Sequence, residues 1–135
     1  MRDFTQLSTT TEQYFKDGRY DVAVINLGTN DAAQKMSVKE FKQRMKVYVN
    51  RIKKVSPGTK IVLLEPIKPK NYDKNEPLQA YTQARKDMAL DYGWGYIDTH
   101  LLGDYNDEYY EDGTHPNTKG KKAIAKMVFD YLSNN

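Results

Sequence analysis

Short apolar runs alternate with amphipathic helical stretches along this chain, and the alternation leaves few folds open. Asp21-Val22-Ala23-Val24-Ile25-Asn26-Leu27, ending at Gly28, is the kind of continuous run expected of a strand covered on both faces. Lys60-Ile61-Val62-Leu63-Leu64-Glu65 repeats the pattern, and Tyr96-Ile97-Asp98 is a shorter third case. Between the first two, Val38, Phe41, Met45, Val49, Ile52 and Val55 recur at helical spacing behind a Ser37/Glu40 capping box, and Ser56-Pro57-Gly58 stops the helix. A second helix opens near Pro77, carries Leu78, Tyr81, Met88 and Tyr92 on one face, and breaks at Gly93-Trp94-Gly95. A third starts at Asn117 or Thr118, with Ile124, Met127, Val128, Tyr131 and Leu132 turned inward. Ahead of all these, Thr9 and Glu12 have capping-box spacing and Gly18 closes a short helix behind Tyr14-Phe15.

The order α-β-α-β-α-β-loop-α implies a parallel sheet with helices on both faces. In such sheets working residues gather at the carboxyl ends of the strands. Two segments fall there by position: Gly28-Thr29-Asn30-Asp31 after the first strand, and Asp112-Gly113-Thr114-His115-Pro116 after the last. With 135 residues there is material for one domain, spanning 1–135.

Composition closes several function classes. Cysteine is absent, which excludes a disulfide framework, thiolate-bound zinc and a cysteine nucleophile. His100 and His115 are the only histidines, too few for a His-rich metal site. Lys and Arg number 21 against 18 Asp and Glu, a net charge of +3 that demands no anionic partner. No apolar run reaches the roughly 18 residues of a membrane span. The segment Met1-Arg2-Asp3-Phe4-Thr5-Gln6 opens no signal peptide, so the chain as given reads as cytoplasmic if complete, its compartment otherwise open. The Ser37–Val55 helix is rich in Lys and Arg, yet no base-reading motif accompanies it; it reads as a solvated outer face, and nucleic acid is not an expected partner. Asp104 to Tyr109 is superficially like a calcium loop, but Tyr109 stands where that loop needs its turn glycine. A nucleotide-binding module is disfavoured because no strand is followed by a Gly-rich phosphate loop.

The two edge segments carry the chemistry. A carboxylate three residues before a histidine, in a turn shaped by Gly113 and Pro116, can place Asp112 and His115 at one site as orienting acid and general base; an ordinary loop and helix cap is the bland alternative. Gly28 permits a sharp exit from a buried strand, and the carboxamide of Asn30 can donate to a developing oxyanion; a helix-capping turn is the alternative there.

Taken together, these segments resemble the SGNH hydrolases, also called GDSL-type esterases and lipases. Tyr20 to Asp31 is similar to that family's third conserved block, and Asp112 to Asn117 with Gly120 is similar to its fifth. The resemblance implies a flavodoxin-like three-layer α/β/α fold with a parallel sheet, and ester hydrolysis by a Ser-His-Asp triad without metal or organic cofactor. It makes His115 the base, Asp112 its carboxylate and Asn30 an oxyanion donor, with Gly28 and Asp31 supporting the Asn30 loop. Tyr105, Tyr109 and Tyr110 precede Asp112 closely and can line a pocket for a small ester or acetylated carbohydrate; packing over the end of the domain is the equal alternative.

The nucleophile block departs from the pattern. No Gly-Asp-Ser occurs among these residues, and the serines are Ser8, Ser37, Ser56 and Ser133. Ser37 reads as a cap, Ser56 as a turn and Ser133 as a tail; Ser8 is a poor substitute nucleophile. The domain therefore reads as N-terminally incomplete, lacking a leading β-α-β unit of about 30 residues. The strand at 21–27 would then present an open edge flanked by Val22, Val24 and Ile25, a surface for self-association. The rival reading is a non-catalytic fragment or decayed homologue that serves binding or assembly. His100, with no partner in the sequence, is expected as an exposed loop residue.

Overall fold

The computed structural model describes residues 21–26, 36–70, 72–103, 107–112 and 115–134. The expected helix at 9–18, Ser8, the segment Gly28-Thr29-Asn30-Asp31, Tyr105 and Gly113 lie outside the described residues. Strand β1 (Val22–Ile25), helix α1 (Val38–Val55), strand β2 (Lys60–Leu64), helix α2 (Glu76–Tyr92), strand β3 (Gly95–Ile97) and helix α3 (Thr118–Ser133) follow in that order. Single 3-10 turns stand at Tyr72–Lys74, Thr99–Leu102 and Asp107–Tyr109.

Local chemistry sets the helix ends. Ser37 caps α1, its hydroxyl accepting from the Glu40 N–H at 3.1 Å. The Glu40 carboxylate turns along the helix to Arg44 at 3.0 Å. Asn75 caps α2 and Asn117 caps α3 in the same way, accepting from Leu78 N–H and Gly120 N–H. Gly93 ends α2 at φ 69°, a left-handed conformation that glycine adopts without steric cost.

The strands form a wholly parallel sheet in the order β1-β2-β3, with Val24 opposite Val62 and Leu64 opposite Ile97. Their side chains alternate between two cores. Ala23, Ile25, Ile61 and Leu63 pack against Phe41, Met45, Val49 and Ile52 of α1 and Tyr81, Ala84 and Met88 of α2. Val62, Leu64 and Ile97 pack on the other face with half-buried Val22, Val24, Ile124, Met127, Val128 and Tyr131. Two helices cover one face and α3 the other, giving the expected α/β layering. The first core is the tighter: Phe41 stacks on Tyr81 at 4.2 Å, and the Tyr81 hydroxyl donates to the Met36 carbonyl at 2.5 Å. Each such buried side chain contributes about 1.5–3 kcal/mol.

Several expectations need correction. The Ile25 side chain is not exposed beside the strand edge but buried under the α1/α2 layer, because odd-numbered residues of β1 face the thicker core. β1 pairs with β2, and no second strand partner exists for it among the described residues. Tyr92 and Leu132 are 47% and 40% exposed rather than inward, since each sits in the last turn of its helix. Tyr92 instead takes Lys46 over its ring at 3.8 Å and leans on Trp94. The third strand is displaced by one residue, freeing Asp98 to accept from His100 N–H at 3.0 Å at the head of the next turn. No helix among the described residues is long and apolar enough to cross a membrane.

Candidate active site at the carboxyl edge of the sheet

Parallel strands bring their carboxyl ends to one edge, and the chain returns there before α3. Residues 107–112 and 115–117 form a small hairpin at that return. Tyr110 bridges Pro116 in antiparallel fashion, Glu111 N–H donates to the His115 carbonyl at 2.8 Å, and Asn117 N–H donates to the Tyr109 carbonyl at 2.8 Å. The Asn117 carboxamide donates to the Glu108 carbonyl at 2.7 Å while its oxygen caps α3, so one side chain fastens the hairpin to the helix. Gly120 makes this close approach feasible, because a Cβ there would strike the Tyr109 carbonyl oxygen and approach Pro116 Cβ to 3.0 Å.

On this hairpin the Asp112 carboxylate meets His115 twice. One oxygen accepts from the His115 backbone N–H at 2.8 Å, and the other lies 2.9 Å from ring Nδ1. Both side chains are more than half exposed, so the pairing adds little to stability and serves to orient the ring. A carboxylate against Nδ1 is the arrangement that would let the opposite ring nitrogen serve as a general base. Of the other sequence-derived candidates, Tyr109 is half-buried and Tyr110 buried, and both border a shallow hollow with Ile67, Lys68, Thr99, Leu102 and Gly103. The Tyr110 hydroxyl donates to the Lys68 carbonyl. Gly28, Asn30, Asp31 and Tyr105 are not among the described residues.

A second polar cluster, absent from the sequence reading, lies beneath the same edge. Glu65, immediately after β2, is buried together with Arg85 of α2. Its carboxylate accepts from Arg85 at 2.7 Å, Thr82 at 3.1 Å and Tyr96 at 2.9 Å, and its carbonyl accepts from Thr99 at 2.6 Å. Burial, then the Glu65 charge, push the Tyr96 phenol far above its ordinary range, so Tyr96 remains a donor. His100 also belongs here: its Nε2 lies 3.9 Å from Glu65 and its ring meets Tyr72 edge-on at 4.9 Å. Its side chain is only 13% exposed, which corrects the expectation of an exposed loop residue; the 3-10 turn folds it back under the edge. Burial pulls its imidazole below the ordinary value, against the opposing charges of Glu65 and Asp98. His100 Nε2 and Asn26 Oδ1 are the buried side-chain polar atoms without a hydrogen-bond partner among the described residues. The sequence did carry a signal for the ion pair. Glu65 closes an apolar strand, and Arg85 stands between Tyr81 and Met88 on the apolar stripe of α2, so two opposite charges were placed inside.

The basic face of α1 is largely engaged within the fold: Arg44 with Glu40, Lys46 with Tyr92, and Lys53 with the Thr59 carbonyl at 2.6 Å. Among the described residues, no group of three or more His, Asp or Glu side chains is arranged to hold a metal ion.

Comparison with known proteins gives a consistent result. The model of the GDSL-like lipase/acylhydrolase family matches residues 4–123. An acetylxylan esterase of Xylanibacter ruminicola is 30% identical over 132 residues, an alignment covering 80% of this chain and 28% of that protein. The chain thus spans little more than a quarter of that relative. Among solved structures, a carbohydrate esterase family 3 protein from Talaromyces cellulolyticus superposes with a TM-score of 0.80 at 19% identity, covering 98% of this chain and 67% of the other. An acetylxylan esterase from Geobacillus stearothermophilus gives 0.74 at 17% identity, covering 96% and 67%. At those identities the structures establish a shared fold.

Proposed function

This chain belongs to the GDSL-like lipase/acylhydrolase family, and from that premise we propose that it carries the base, the orienting carboxylate and one oxyanion donor of an ester-hydrolysing site. The observation that carries the reading is the 2.9 Å contact between Asp112 and His115 Nδ1 on a hairpin at the carboxyl edge of a parallel sheet. His115 Nε2 would take the proton of an attacking hydroxyl and return it to the leaving group, while Asp112 stabilises the imidazolium. Asn30, supported by Gly28 and Asp31, would donate to the oxyanion. Tyr105 and Tyr109 would border the acyl or sugar portion. The likeness to an acetylxylan esterase supports an acetylated carbohydrate as the substrate class.

The nucleophile is not among the described serines. Ser37 is committed to capping α1, and Ser56 and Ser133 sit at the ends of helices that run back toward the amino edge. We therefore expect the 135-residue chain to hydrolyse a short-chain aryl acetate negligibly. Joining to it a Gly-Asp-Ser-bearing β-α-β unit from a family member should restore turnover on aryl acetate and on acetylated xylo-oligosaccharide. In that restored enzyme His115→Ala should then cost about 10²–10⁴-fold in kcat. Strong turnover by the chain alone, lost on Ser8→Ala, would overturn the account of the nucleophile. A restored enzyme indifferent to His115→Ala would overturn the assignment of the base and favour a binding or assembly role for this chain.

A further inference from the structure

We propose that Tyr110 is the positioning residue of the Asp112–His115 pair, holding that pair in register through its buried phenol rather than touching substrate. The inference rests on the reading of Asp112 and His115 as carboxylate and base. The pair has little to hold it by itself: its side chains are 57% and 61% exposed, so water competes for the contact. Asp107, Glu108, Glu111, Asp112 and His115 all lie on the surface, and among the described residues of this hairpin Tyr110, at 7% exposure, is the one sunk into the protein.

What Tyr110 reaches is rigid. Its hydroxyl donates to the carbonyl of Lys68, in the segment Pro66-Ile67-Lys68-Pro69 that leaves β2. Two prolines fix φ on either side of that carbonyl. The segment is tied down at its root, where Thr99 donates to the Glu65 carbonyl and the Glu65 side chain binds Arg85, Thr82 and Tyr96. The backbone passes this anchoring on to the pair. Tyr110 is bridged to Pro116, the neighbour of His115, and the Glu111-to-His115 hydrogen bond closes the hairpin one residue from the anchor. A shift of the Tyr110 ring would therefore move Asp112 and His115 relative to each other. Phenylalanine would fill the same space but remove the hydrogen bond by which the Tyr110 side chain holds the half-buried Lys68 segment, so the ring loses this tether.

The test reads the imidazole directly, in the whole chain, and does not depend on turnover. In a ¹⁵N-labelled sample at about pH 8.5, above the ordinary imidazole range, long-range ¹H–¹⁵N correlations report which ring nitrogen of His115 carries the proton. The wild type should show the Nδ1–H form selected by Asp112, and Asp112→Ala should lose that bias. Tyr110→Phe should lose most of the same bias while circular dichroism shows a folded chain. Ser56→Ala, which removes a buried hydroxyl at the opposite sheet edge, should leave it unchanged. If Tyr110→Phe keeps the wild-type pattern while Asp112→Ala changes it, the positioning role is wrong and the pair stands. If Asp112→Ala also changes nothing, the reading of the pair is wrong and the proposal goes with it. Should Tyr110→Phe not fold, native-state hydrogen exchange on the wild type decides: the amides of Glu111, His115 and Asn117 should exchange through one common opening, and independent exchange overturns the proposal.

Discussion

Replacing Arg85 by methionine strands the Glu65 carboxylate inside the protein, and the structure allows the consequence to be worked out. Glu65 and Arg85 are 2% and 3% exposed, so water does not screen their 2.7 Å contact. Breaking a buried pair by removing one partner costs about 3–5 kcal/mol, because the remaining charge is desolvated and uncompensated. Methionine retains much of the aliphatic stem of Arg85 against the core, which confines the loss to the charge and its hydrogen bonds. Glu65→Met alone should cost a similar amount, leaving Arg85 buried and Tyr96 without its acceptor. In the double variant no charge remains. Thr82 still donates to the Leu78 carbonyl and accepts from Tyr72, and half-buried Tyr96 can turn to water. The double variant should therefore lie within about 2 kcal/mol of the wild type, far from the roughly 6–10 kcal/mol sum of the single changes. Urea titrations at neutral pH, with midpoints and slopes fitted for all four proteins, give the cycle. Arg85→Met costing less than about 1 kcal/mol, or strict additivity in the double variant, would refute the argument that buried charge dominates this cluster.

Two further outcomes follow from single groups. His100 has its proton affinity lowered mainly by burial, with Glu65 and Asp98 opposing and Lys68 reinforcing. The unfolded chain thus binds the proton more readily, and stability present above the unfolded value of about 6.5 is lost as pH falls toward the folded value, at no more than about 1.4 kcal/mol per pH unit. His100→Asn should remove that part of the acid sensitivity, and urea midpoints compared at mildly alkaline and mildly acidic pH would show no difference in slope if the reasoning is wrong. Gly120→Ala should destabilise by about 1–3 kcal/mol through collision with the Tyr109 carbonyl and Pro116, instead of gaining the roughly 1 kcal/mol that alanine usually brings to a helix. Thermal unfolding decides the sign, and His115 resonances should shift with it.

From the first strand onward, the element order, the caps at Ser37 and Asn117, the stop at Gly93 and the burial of both sheet faces were legible along the chain. Continuous apolar runs, helical spacing, Ser37, Asn117 and Gly93 act within a few residues of themselves, so their energetics are written locally. The Asp112–His115 contact was legible for the same reason, being three residues apart in one turn. Tertiary structure alone decided that Glu65 meets Arg85 across 20 positions, that Tyr110 reaches Lys68 across 42, and that His100 turns inward. Those contacts depend on which strands are neighbours and in what register. Strand order follows from the simultaneous burial of two opposite sheet faces by helices distant in sequence, a condition that no single segment contains.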